Sequence, residues 1–287
     1  LPMHYTMGLS VIASHLYAGA TLYLSGRSLM DLEFWKTMKK ERITSFTGVP
    51  FSYEIMHKLR FFKRMELPDL DIITQGGGKL SEELFKECCE YAERTGKKFI
   101  PTYGQSECTA RMAYLEPEMA SKKQGSIGKA EPNGQLSIID ADGNETFEGD
   151  ATGEMIYRGE NVTMGYAYCK EDLMKGDENH GVMHTGDIAH RDADGFYFIV
   201  GRMKRFLKIF GLRIGLDEVE HLIKSNIETD CVCTGTDEML TVHITNKKYL
   251  EDVASFVEEK THLFKKNIEV VYISEIKRNE AGKVILH

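Results

Sequence analysis

The hydrophobic rhythm of the chain changes twice along its length. Up to about residue 101, short apolar runs at Ala20–Leu24, Ile43–Thr47, Leu70–Thr74 and Lys97–Pro101 alternate with longer stretches in which apolar positions recur every three or four residues. The runs predict strands and the stretches predict amphipathic helices, an alternation that makes a largely parallel, helix-covered sheet. Ser81–Arg94 carries the clearest helical signature. Ser81 suits an N-cap, Glu82 and Glu83 suit the positive end of the helix, Leu84, Phe85, Cys88 and Tyr91 form one apolar stripe, and Gly96 ends it.

From about Lys122 to Val200 the pattern shortens to Leu136–Ile139, Glu154–Tyr157 and Phe196–Val200, with turn signals at Asp142-Gly143 and Asp194-Gly195. A small β-barrel-like subdomain is the expectation. The remainder predicts a compact α+β module. Asp217 with Glu220 three residues on reads as a capping box opening a helix with Leu216, Val219, Leu222 and Ile223 on its core face, and a second helix sets Leu250, Val253, Phe256 and Val257 on one side. The predicted organisation is α/β, divided 1–121, 122–203 and 204–287.

At 287 residues and 42% hydrophobic content, the chain can bury about two cores, and none of its apolar runs approaches the roughly 20 residues a spanning helix needs. The six cysteines include no CxxC pair; reduced thiols suit a cytoplasmic protein, and Cys231 with Cys233 suit strand packing. A formal charge of −8 argues against a nucleic-acid partner, since phosphate backbones are held by clustered Lys and Arg. The basic cluster Arg202, Lys204, Arg205, Lys208 and Arg213 can serve a smaller anion or be a solvated face. The chain opens at Leu1 without a secretory pattern, and a fragment is the expectation.

Five short motifs carry candidate chemistry. Thr74-Gln75-Gly76-Gly77-Gly78 is a glycine turn between a strand and a helix, which admits a close backbone approach or merely turns the chain, and its spacing is not the GxGxxG of dinucleotide-binding folds. Thr102-Tyr103-Gly104-Gln105-Ser106-Glu107 follows the next strand, where open α/β sheets place ligands, and offers a ring to stack a base, a hydroxyl for phosphate and a carboxylate for Mg²⁺. In His184-Thr185-Gly186-Asp187 a carboxylate on a tight turn can accept hydrogen bonds from both hydroxyls of a ribose. Gly201–Ile214 and Asn279–Lys283 complete the set, the latter with a lysine after a glycine near the terminus.

Together, and with Pro2-Met3-His4-Tyr5-Thr6-Met7-Gly8 at the start, these motifs resemble in order and spacing the adenylate-forming superfamily of acyl-CoA synthetases, peptide-synthetase adenylation domains and beetle luciferases. The resemblance implies an enzyme that uses ATP to turn a carboxylic acid into an acyl-adenylate and passes the acyl group to a thiol, of CoA rather than of a carrier protein's pantetheine, releasing AMP. It implies Glu107 as the Mg²⁺ ligand, Ser106 as a phosphate contact, Tyr103 as a wall of the nucleotide pocket, and Asp187 with Arg202 as the ribose clamp. Gly76 and Gly77 would line the boundary between adenine and acid, with Gly78 and His4 on the acid side. Lys204 falls at the hinge of a mobile carboxyl-terminal domain, Lys283 at the lysine that catalyses adenylation, and Lys208 with Gly211 on the face used in the thiol step.

The sequence also departs from that pattern. No Ser/Thr/Gly-rich phosphate loop precedes His4, Arg205 stands where an acidic residue is common, and Val284-Ile285-Leu286 follow Lys283 in place of the usual Asp-Arg. An amino-terminal half missing from the chain, and weak adenylation by the chain alone, are the corresponding expectations. The alternative is a non-catalytic nucleotide-binding module, or one half of a split enzyme.

Overall fold

The computed structural model describes residues 1–203, 205–209, 212–236, 238–279 and 284–285; for Phe206, Lys208 and Arg213 it describes the backbone alone. Two compact units emerge. One comprises Leu1–Thr185 with His190–Ile199, and the other Gly186–Ala189 with Val200–Asn279 and residues 284–285.

The first unit opens with helices α1 (Thr6–Tyr17) and α2 (Leu32–Lys40), followed by β1 (Ser45–Gly48), α3 (Pro50–Lys58), α4 (Phe61–Arg64), β2 (Ile72–Gln75), α5 (Glu82–Thr95) and β3 (Lys98–Tyr103). Strands β1, β2 and β3 run parallel, with Ser45 opposite Ile72 and Ile72 opposite Lys98. Short antiparallel strands β4 (Ala113–Tyr114) and β5 (Lys129–Ala130) extend the sheet in the order β1-β2-β3-β4-β5. The core beneath it is aromatic. Trp35, Tyr53, Phe61, Phe62, Phe85, Tyr91 and Phe99 join one buried cluster, with Phe61 and Phe62 edge to face at 5.3 Å. Each such ring contributes about 1.5–3 kcal/mol by leaving water.

Helix α5 follows its sequence signals: Ser81 Oγ accepts from the Leu84 N–H at 3.3 Å, and Gly96 ends the helix in the left-handed region at φ 67°. The strand expected at Ala20–Leu24 is absent; residues 20–28 have no regular structure, and Tyr23 and Leu24 are exposed. An apolar run becomes a strand only where a neighbour pairs its N–H and C=O groups, and among the described residues none pairs with this one.

The strand-rich stretch forms β6 (Gln135–Ile139), β7 (Glu145–Thr146), β8 (Ala151–Arg158), β9 (Val182–Arg191) and β10 (Tyr197–Arg202). Their order is β10-β9-β8-β6-β7, an open sheet among the described residues where a barrel-like closure was expected. The Asp142-Gly143 turn is built as the sequence suggests, with Asp140 Oδ1 accepting from the N–H groups of Asp142 and Asn144 at 2.9 Å each.

The second unit contains the antiparallel pair β11 (Phe206–Ile209) and β12 (Leu212–Gly215), then α6 (Leu216–Asn226), β13 (Cys231–Thr236), β14 (Met239–Ile244), α7 (Leu250–Thr261) and β15 (Ile268–Tyr272). Strands β13 and β14 pair antiparallel and β14 and β15 parallel. Val219, Ile223, Cys231, Cys233, Val253 and Val257 are buried in its core, so the two cysteines are strand packing. The capping box expected at Asp217 and Glu220 is not formed: the N-cap is Gly215, two residues before Asp217, and both carboxylates turn to Arg205. An ion pair from outside the helix outcompetes a local cap. Among the described residues, no helix is long and apolar enough to cross a membrane.

Candidate functional site

Three parallel strands deliver their carboxyl ends to one place, the position where open α/β sheets gather ligands. Strand β2 runs into Gly76-Gly77-Gly78 and β3 into Gly104–Glu107, while the end of β1 supplies the Gly48 carbonyl that accepts the Gly76 N–H at 3.2 Å. Thr102 Oγ1 donates to the Gln75 carbonyl at 2.9 Å, and Gln75 Nε2 donates to the Gly78 carbonyl at 2.7 Å, so the glycine turn is braced from both sides. A Cβ on Gly76 would lie 2.6 Å from Thr102 Oγ1 and 2.6 Å from Met7 Cε, and Gly77 sits at φ 77°. The turn therefore requires glycine for packing as well as offering bare backbone to a ligand. Gly77 and Gly78 are exposed.

The loop after β3 is equally constrained. A Cβ on Gly104 would meet the Ala110 backbone at 2.3 Å, so the loop closes on itself through that glycine. Gln105 Nε2 donates to Tyr103 Oη at 3.1 Å and to the Thr185 carbonyl at 2.9 Å, fixing the tyrosine ring at the strand end. Ser106 is exposed and accepts from Thr6 Oγ1 of α1 at 3.1 Å. Half-buried Glu107 accepts from Tyr166 Oη at 2.8 Å through Oε1, and from the Thr163 N–H at 2.8 Å through its carbonyl. The hydrogen bond to Glu107 holds the Tyr166 hydroxyl above its ordinary pKa. Burial, reinforced by the Glu107 charge, pushes the neighbouring Cys108 thiol up to about 11.

Among the described residues, no three His, Cys, Asp or Glu side chains gather to hold a metal ion. One carboxylate beside one hydroxyl nevertheless suits Mg²⁺, which is commonly bound by one or two carboxylates together with substrate phosphates. Glu107 and Ser106 fit that shared kind of site.

A groove of about 360 Å³ opens beside this loop, with Thr6, Ser10 and Ser14 of α1 on one side and Cys108–Arg111 on the other. His4 is exposed, its ring 4.7 Å from that of Tyr5, and the groove is lined by α1 beyond it. Gly78 backs onto the Pro50 ring, 3.1 Å from where a Cβ would stand.

In the second unit, Asp187 is 3% exposed and is held by Arg202 Nε at 3.0 Å. A charge that far from water needs a charged partner, and Arg202, itself mostly exposed, provides one. The Met203 N–H donates to the Gly186 carbonyl at 2.8 Å and closes the turn around the pair. Lys208 lies in β11, and its side chain is outside the described residues, as are Lys204, Gly211 and Lys283.

Thr6 and Tyr166 were not singled out by sequence. Thr6 had a faint signal, a hydroxyl in the first turn of a helix within the opening motif; Tyr166 had none, because its partner is 59 residues away.

Comparison with known proteins gives a consistent result. The family described as AMP-binding enzyme matches residues 1–167. Indoleacetate–CoA ligase of Aromatoleum aromaticum (strain DSM 19018 / LMG 30748 / EbN1) is 31% identical over 298 residues, covering 99% of this chain and 56% of that protein. Among solved structures, o-succinylbenzoate coenzyme A synthetase from Bacillus subtilis in complex with AMP superposes with a TM-score of 0.77 at 21% identity, covering 99% of this chain and 58% of that one. The same enzyme in complex with ATP and magnesium ion gives 0.77 at 22% identity, with 99% and 58% covered. The chain spans about half the length of the curated relatives it matches.

Proposed function

Because the chain belongs to the AMP-binding enzyme family, we propose that it carries nucleotide and acid contacts of an AMP-forming acid–thiol ligase, with CoA as the acceptor. The observation that carries the reading is the meeting of the Gly76–Gly78 turn, the Ser106 hydroxyl and the Glu107 carboxylate at the ends of β2 and β3, beside a groove.

In the first step the acid's carboxylate oxygen attacks the α-phosphorus of ATP, the bond to the bridging oxygen breaks, and pyrophosphate leaves with that electron pair. In the second, a thiol sulfur, its proton passing to solvent, attacks the acyl carbon and AMP leaves, its phosphate taking the electrons of the anhydride bond. The first step brings two anions together, and preorganised donors are worth about 2.7–4 kcal/mol each in such a site. In this reading Ser106, oriented by Thr6, donates to phosphate, and Tyr103, fixed by Gln105, walls the base. Asp187 accepts from the ribose hydroxyls while Arg202 holds it in place. Gly76 and Gly77 admit the substrate to bare backbone, with Gly78 and His4 toward the acid. Lys283 supplies the cation of adenylation, Lys208 serves the thiol step, and Lys204 is the pivot of residues 204–287 as a separate lid. Mg²⁺ held by Glu107 would neutralise phosphate charge. Thiol chemistry of this kind, and reduced cysteines, suit a cytoplasmic protein in this reading.

The test is acid-dependent exchange of pyrophosphate into ATP by the polypeptide extended to the length of its relatives. Exchange that Lys283→Ala abolishes supports the reading, and exchange that survives the substitution removes Lys283 from it.

A further inference from the structure

The groove between α1 and the loop after Glu107 contains one charged residue among those lining it, Arg111. Thr6, Ser10 and Ser14 follow one another at four-residue steps, so they share a face of α1. Thr6 Oγ1 meets Ser106 Oγ at 3.1 Å, and one step along, Ser10 Oγ accepts from Arg111 Nη2 at 3.3 Å. Four residues of helix rise about 6 Å. The guanidinium contact therefore stands about 6 Å along α1 from the level of the motif serine.

A guanidinium presents five N–H donors in a planar fork that matches a carboxylate. A serine hydroxyl at 3.3 Å is a weak, neutral partner for it. Glu131 is close enough for the Arg111 charge to oppose the rise that burial gives its carboxyl pKa, yet among the described residues the two form no ion pair. The rest of the groove is hydroxyls, thiol and short apolar side chains, with Leu9 and Ala13 between the serines. A simple fatty tail has no use for a cation there.

We infer that Arg111 reads a second carboxylate on the acid substrate, so that the preferred acid is a dicarboxylate with its two ends about 6 Å apart. The inference rests on the proposed function, which puts the phosphate that the acid's carboxylate attacks beside Ser106 and Glu107. The far carboxylate takes the fork of Arg111, and the near one stays free to attack phosphorus.

Two non-hydrolysable acyl sulfamates of adenosine test it, one hexanoyl and one 5-carboxypentanoyl, each titrated calorimetrically into the chain. The carboxyl-tailed analogue is expected to bind about tenfold tighter, the range of a hydrogen bond to a charged group. Arg111→Gln should bring the ratio to about one, and Arg111→Lys should retain part of it. Equal affinities in the unsubstituted chain, or a ratio that survives Arg111→Gln, overturn the inference and leave the proposed function standing. Failure of both analogues to bind overturns the proposed function and the inference with it.

Discussion

Replacing Arg205 by alanine should loosen the second unit specifically. The side chain, one-third exposed, bonds the Asp217 carboxylate through Nη1, and through Nη2 it donates to Glu220 Oε1 at 2.6 Å and to the Cys233 carbonyl at 3.0 Å. Glu220 Oε1 also accepts the Cys233 N–H at 2.7 Å, so the arginine sits at the joint between α6 and β13. Its loss leaves two carboxylates three residues apart on one helix, a like-charge pair on one face. Breaking a fully buried pair costs about 3–5 kcal/mol, and solvent screening at this exposure lowers that to about 2–3 kcal/mol. At 1.4 kcal/mol per tenfold, amide exchange in α6 and β13 should accelerate about 30- to 140-fold. Tryptophan fluorescence is the wrong assay, because the single tryptophan, Trp35, lies in the core of the first unit. Hydrogen exchange read peptide by peptide by mass spectrometry distinguishes the units. Unchanged protection in α6, or equal loosening of α5, would refute the reasoning.

Other consequences are open to simpler assays. Gly76→Ala should cost about 1–3 kcal/mol in urea unfolding, the penalty of forcing a methyl into a packed site, since its Cβ would press on Thr102 Oγ1; an unchanged midpoint would contradict that packing. Lys123 bridges Asp192 at 2.7 Å and Asp194 at 2.6 Å, and those hydrogen bonds raise its pKa. Burial pushes the Asp192 carboxyl up, but Lys123 and the Phe196 N–H outweigh it and hold its pKa below the ordinary value. The Asp192 part of this stability is therefore present above about pH 4 and lost as pH falls through the lowered value, and the Lys123 part is present below about pH 10.4 and lost as pH rises through the raised one. The difference in urea midpoint between the native chain and Lys123→Gln should thus be flat at neutral pH and shrink at both extremes; a constant difference would contradict it. A disulfide reagent at pH 8 should label exposed Cys169 first, while Cys89 and Cys231, pushed up to about 12 by burial, stay silent until unfolding; early loss of either thiol would count against the packing of its core.

The legible parts of this fold are those whose signals are short in sequence. Helix α5 announces both ends locally, in Ser81 and Gly96, and strands β1 to β3 lie within a few residues of their apolar runs. Ala20–Leu24 misled because a strand is decided by its neighbour, and Asp217 with Glu220 misled because Arg205, an ion-pair partner from outside the helix, outweighed the cap. Arg205, which stands where an acidic residue is common, braces α6 against β13 with its side chain. The same division runs through the candidate site. Gly76, Ser106 and Glu107 were readable because strand-end motifs are local, whereas Thr6 reaches Ser106 across 100 residues and Arg111 reaches Ser10 across 101. Spacing along the chain holds no trace of such pairs. They arise where α1 meets the loop after β3.

Calorimetric titration of AMP into this chain, alongside Asp187→Asn, tests the nucleotide reading most directly. Asparagine keeps the shape of the buried side chain and removes the charge that Arg202 holds at 3.0 Å. Saturable binding at one site, weakened about tenfold or more by the substitution, is the expected result; no binding, or binding that Asp187→Asn leaves untouched, would contradict it.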